Sequence, residues 1–137
     1  MKNCMYAILL ILALSSFSTK SSASSVNHST AFQNDTIPAQ FPGGAAGWKK
    51  FLEKKMNRDL PVENGAPAGT YVAAVSFLVD TDGNISDIQL LKNSGYGTGE
   101  EVIRLMKISP KWVPATKNGQ NINSRQTQSI TYQIAFE

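Results

Sequence analysis

The stretch Thr70–Lys92 constrains this chain more than any other. From Thr70 to Asp80 the residues alternate with a period of two. Tyr71, Ala73, Val75, Phe77 and Val79 fall on one face, and Val72, Ala74, Ser76 and Leu78 on the other, as a strand requires. Thr81-Asp82-Gly83-Asn84 then supplies a turn, with a glycine free to take positive φ and two side chains able to bond locally. Ile85 to Leu91 reads as the returning strand. Its apolar positions Ile85, Ile88 and Leu90 are spaced three and then two, which places a bulge near Ser86 or Asp87. An Asp-Gly between two such runs is a strong hairpin signal.

The remaining elements arrange themselves around this hairpin. Trp48, Phe51, Leu52 and Met56 recur at helical spacing with Lys49, Lys50, Glu53, Lys54 and Asn57 between them, predicting an amphipathic helix over 47–57. Its lysines read as a solvated outer face. Pro61 to Gly69 reads as a loop. Asn93 to Gly99 is a glycine-rich connection into a second helix, Glu100–Lys107, with acids first and cations later, as the helix dipole favours. Thr98 and Glu101 have the spacing of a capping box. Lys111–Ala115 reads as extended, Asn118-Gly119 as a turn, and Ser129–Glu137 as a last strand with Ile130, Tyr132, Ile134 and Phe136 on one face. The expected architecture is α+β. It has one three-stranded antiparallel-type sheet in the order 2-1-3, with both helices on the Tyr71/Val75/Phe77 face. The last strand is an edge that Thr131 and Gln133 protect weakly.

The chain opens like an export signal. Lys2 precedes an apolar run from Met5 to Leu14, and Ser21-Ser22-Ala23 ends in small residues, which predicts cleavage after Ala23. The run is short of the roughly 20 residues of a spanning helix, and a retained anchor is the alternative reading. The only cysteine, Cys4, leaves with the leader, so the mature chain would be stable without disulfides. Residues 24–40, rich in Ser, Thr, Asn and Gln, read as a flexible tether, and 41–137 as one domain. Losing Lys2 and Lys20 lowers the formal charge from +3 to +1, which removes any electrostatic argument for nucleic acid.

Catalytic and cofactor chemistry finds no foothold. The one histidine, His28, lies in the tether, so neither a zinc site nor a nucleophile–base pair can be assembled. Asp80-Thr-Asp82-Gly-Asn84 begins like a calcium loop, but Ile85 and Leu91 stand where a glycine and a bidentate glutamate are needed. Gly95-Tyr-Gly97-Thr-Gly99-Glu100 lies between strand and helix as a dinucleotide loop does, yet Glu100 replaces its third glycine with a charge that repels pyrophosphate. Trp48 and Trp112 read as core or rim residues. The sequence points to no cofactor, no metal and no enzyme.

Phe41-Pro-Gly-Gly44, Val79-Asp-Thr-Asp-Gly83, Glu100–Lys107, Pro110-Lys-Trp-Val-Pro114, Asn118-Gly119 and Ile130-Thr-Tyr132 occur in an order that resembles the TonB C-terminal domain family, over about Phe41 to Glu137. The resemblance is nearest to forms from Bacteroidota. It implies a periplasmic module that grips outer-membrane transport receptors by pairing an edge strand with a short extended receptor segment, the TonB box. Carried over by position, the partner-binding residues are Gln128, Ser129, Ile130, Thr131, Tyr132, Gln133 and Ile134. Ser129 stands where many relatives have proline, which leaves one more donor on the strand. Energy-transducing members carry a histidine-bearing anchor that engages inner-membrane motor proteins, and a long proline-rich span. Here the apolar segment has no histidine and the tether has one proline, Pro38. Two alternative roles follow: a membrane-anchored transducer, and an envelope domain that forms a homodimer through Val72, Ala74 and Leu78.

Overall fold

The computed structural model describes residues 35–135; the leader, residues 24–34 of the expected tether, and Phe136 lie outside it. In chain order the elements are β1 (Thr36–Ile37), α1 (Gly44–Lys55), α2 (Leu60–Glu63), β2 (Gly69–Val79), β3 (Ile85–Lys92), α3 (Thr98–Ile108), β4 (Ala115–Lys117), β5 (Gln120–Ile122) and β6 (Ser124–Ile134). The class is α+β, but the expectation of a single sheet is corrected. The strands form two three-stranded antiparallel sheets, ordered β3-β2-β6 and β1-β4-β5. The small sheet escaped the sequence reading because its strands are two and three residues long, too short for a periodic signal.

β2 is the spine of the large sheet. Tyr71, Ala73, Val75, Phe77 and Val79 are all buried, as the alternation requires. α1 contributes Trp48 and Leu52, and α3 contributes Val102, Leu105 and Met106, to the core over that face. Burying a side chain such as Leu52 completely stabilises the fold by about 1.5–3 kcal/mol. Phe77 meets Trp112 edge-on, with ring centroids 4.9 Å apart, and Trp112 in turn meets Phe41 at 5.8 Å. The indoles therefore belong to the core, and the Lys111–Ala115 segment is held down by its own tryptophan.

The turn between β2 and β3 is fixed from two sides. Asp80 accepts bonds from the Asp82 and Asn84 amides, each at 2.9 Å, and from Asn84 Nδ2 at 3.1 Å. Chiefly through Asn84, these donors hold its carboxyl below the usual range. Gly83 has φ 85° and donates to the Asp80 carbonyl, while its own carbonyl accepts from Trp112 N–H at 2.9 Å. A Cβ on Gly83 would lie 2.1 Å from the Trp112 carbonyl oxygen, so glycine is required by both conformation and contact. The Asp80 carboxylate is thus engaged in closing the hairpin turn, the role the sequence reading favoured over a calcium loop.

Several boundaries differ from the expectation. α1 starts at Gly44 rather than Gly47, behind Gly43 in the left-handed region, because Gly-Ala-Ala-Gly offers no apolar periodicity to read. It ends at Lys55 because Met56 is extended. The segment read as a loop from Pro61 to Gly69 overlaps the single turn α2, which starts at Leu60 with Pro61 in its first positions. The capping box at Thr98 does not form. Gly97 is the N-cap with no side-chain bond, Thr98 Oγ1 donates to the Gly95 carbonyl at 2.8 Å, and the Glu101 carboxylate turns toward α1. Residues 35–40, read as tether, are ordered. Thr36 and Ile37 pair with Lys117 and Thr116, and Gln40 exchanges two backbone bonds with Val113. The β4–β5 hairpin turns on Asn118-Gly119, both at positive φ, the requirement of a type I′ turn.

Candidate functional site: the outer edge of the last strand

β6 begins at Ser124, five positions before the expected Ser129, and is described to Ile134. Arg125-Gln-Thr-Gln128 has no apolar residue, so hydrophobic alternation is silent there. Pairing with β2 still runs unbroken from Gly69↔Ile134 to Val79↔Ser124. Among the described residues no strand pairs with the other side of β6.

The direction in which each backbone group points follows from β2. Ser94 Oγ accepts from the Val72 amide at 2.9 Å and donates to the Val72 carbonyl at 2.8 Å, just past the end of β3. Val72 therefore points both its groups toward β3, and so do Ala74, Ser76 and Leu78. The odd residues of β2 point toward β6. Their partners are Tyr132, Ile130, Gln128, Gln126 and Ser124, and these use their backbone groups inward. The N–H and C=O groups of Arg125, Thr127, Ser129, Thr131 and Gln133 then face away from the sheet.

All the residues carried over from the family resemblance lie together on this strand, in two roles. Ser129, Thr131 and Gln133 present outward backbone groups; Gln128, Ile130, Tyr132 and Ile134 anchor the strand to β2. The donor gained by having Ser129 in place of proline is on the outward side. Arg125 and Thr127 extend the outward row and were missed, since the strand was started too late.

The anchors are packed from the helix side. Ile130 and Tyr132 are each 1% exposed. The Tyr132 hydroxyl is buried without a hydrogen-bond partner among the described residues. Burial first, then the negative charge of Glu101, pushes its phenol well above the usual range, against the opposing pull of Arg104. Glu101 and Arg104 join the two helices. Glu101 Oε1 accepts from the Asn57 amide at 2.8 Å, just beyond α1, and Arg104 Nη2 donates to the Lys55 carbonyl at 2.6 Å. Arg104 Nε also donates to Glu101 Oε2 at 2.7 Å. Burial alone would raise the Glu101 carboxyl, but the bonds from Arg104 and Asn57 outweigh it and leave the group below its ordinary range.

On the open face, Arg125 reaches across β2. It donates to Ser76 Oγ at 3.2 Å and to the Asp87 carboxylate of β3. That bond, with Gln89 adding another, holds Asp87 below the ordinary carboxylate range. Arg125 thus crosses the face that Val72, Ala74 and Leu78 would present to a second copy.

Among the described residues, the domain is thus a two-layer α+β body that leaves one regular strand edge without a partner strand. Residues 71–134 match the family model for the Gram-negative bacterial TonB protein C-terminal domain, which supports the family that the sequence resembles. The family is one of periplasm-facing protein-interaction domains associated with outer-membrane receptors. No curated protein matches the chain. Among the described residues no helix is long and apolar enough to cross a membrane, and no cluster of His, Cys, Asp or Glu is arranged to hold a metal.

Proposed function

We propose that this protein is an exported periplasmic module that docks an extended segment of an outer-membrane transport receptor on the free edge of β6 by strand addition. The observation that carries this reading is the unbroken register of β6, which leaves a regular outward row at Arg125, Thr127, Ser129, Thr131 and Gln133. Each new backbone bond contributes about 0.5–1.5 kcal/mol net, so a handful of them with little side-chain reading sustains a reversible complex. Gln128, Ile130, Tyr132 and Ile134 hold the strand rigid for its partner. The leader directs export and is removed after Ala23.

Titrating the protein with a TonB-box peptide and following backbone amides by NMR tests the docking. The expected result is shifts and slowed hydrogen exchange at Arg125, Thr127, Ser129, Thr131 and Gln133, with β3 unaffected. Perturbation confined to β3, or spread over the helices, would sink it. N-terminal sequencing of the exported protein separates a secreted module from an anchored transducer: a start near Ser24 removes the transducer.

A further inference from the structure

The outward edge of β6 carries a cap made from its own strand. Gln128 pairs with Val75, so its backbone faces β2 and its side chain leaves on the helix-covered face. From there its Nε2 curls back over the rim and donates to the Ser129 carbonyl at 3.3 Å. That carbonyl belongs to the outward row and stands at its middle. We infer that the Gln128 side chain is a placeholder on the docking edge, occupying the central acceptor until an incoming strand supplies a backbone N–H in its place. The inference rests on the strand-addition reading of the same edge.

The chemistry suits an exchangeable cap. At 3.3 Å the bond lies beyond the usual N–H···O range, so a strand N–H at ordinary distance replaces it favourably. The cap still satisfies an edge acceptor in the free protein and blunts the edge where a stray strand would otherwise pair. It also sets a demand on the partner. The residue that bonds Ser129 must own an N–H, so a proline at that point of the peptide leaves Gln128 in place. Gln126 provides the internal contrast. It sits on the same face two residues earlier, yet its Nε2 goes to Ser124 Oγ at 3.1 Å, not to an outward carbonyl.

The test is calorimetric titration of the full chain with a TonB-box peptide, alongside Gln128→Ala, Gln128→Met and Gln126→Ala. Both Gln128 variants lose the donor, and methionine keeps the length, so a shared effect reports the cap and not the volume. The expected result is affinity tighter by about twofold to tenfold for both, the range one weak hydrogen bond allows, with Gln126→Ala unchanged. In the wild type, the Gln128 side-chain amide resonances shift on binding. Unchanged or weaker binding by both variants, with the peptide still perturbing the β6 amides, overturns the placeholder alone. No binding, or binding that leaves the β6 amides untouched, overturns the docking reading and the placeholder with it.

Discussion

β3 and β6 flank the same central strand, both antiparallel to it, and their ladders differ in continuity. β6 follows β2 residue for residue over its whole length. The β3 register shifts twice, between Ser76 and Leu78 and again between Ala74 and Val75. Asp87, at the first shift, has φ 48°, outside the range of an ordinary strand residue. Bulges of this kind twist an edge away from straight pairing and are a standard protection against unwanted partners. Leu91, 58% exposed, sits at the second shift, so an exposed apolar residue of β3 falls where the ladder slips. Among the described residues, one sheet thus has a blunted margin and an open one. The docking proposed above selects the margin with the more regular backbone, not the one with the more exposed apolar side chains.

The sharpest way to break this comparison is proline scanning along β6. Ile130→Pro removes an inward ladder donor and a buried side chain, and should lower stability by about 3 kcal/mol or more. Thr131→Pro removes only an outward N–H, and should cost under about 1 kcal/mol while weakening peptide docking. Urea unfolding and peptide titration of the pair check this; equal destabilisation would mean the assigned directions are wrong. Next in size is the link between the helices above Tyr132. Glu101→Gln should cost about 1–2 kcal/mol at neutral pH, the worth of charge-assisted hydrogen bonds in a partly buried site. Because the folded Glu101 carboxyl lies below its ordinary value near 4.5, its contribution is full above that pH and is lost as pH falls through the depressed value. The variant should flatten this acid limb in unfolding measured from pH 6 to pH 2.

A smaller effect is expected from straightening the blunted margin. Deleting Asp87 restores the register between Ser76 and Leu78 and removes the carboxylate that pairs with Arg125. Stability should change little, since the ion pair is exposed, but sedimentation should show concentration-dependent association through β3. Smallest is Tyr132→Phe. It deletes a buried hydroxyl that has no partner among the described residues, and should leave stability within about 1 kcal/mol of the wild type or slightly above it.

Much of the large sheet was legible in the residues themselves. The period of two assigned Tyr71, Ala73, Val75, Phe77 and Val79 to one face, and all five are buried, while the uneven spacing of Ile85, Ile88 and Leu90 announced the bulge found at Asp87. What stayed hidden depended on distant partners. Nothing local marks Thr36 as a strand, since its pairing is supplied by Lys117. Glu101 looked like half of a capping box, but the Asn57 amide and Arg104 compete for the same carboxylate and win. For the edge itself, the resemblance named the strand, and hydrophobic patterning marked its C-terminal half. The split into inward and outward residues is fixed by Ser94 bonding Val72, a contact made 22 positions apart.

The uninterrupted pairing of β2 with β6 has a mechanical consequence. A chain docked along β6 and pulled parallel to it loads the cross-strand bonds sideways, all together, so they resist as a group and do not open one after another like a zipper. The pull then passes into the middle strand, whose packed face is pinned by both long helices, so tension spreads through the whole body of the domain. The same chain pulled at right angles would peel away bond by bond.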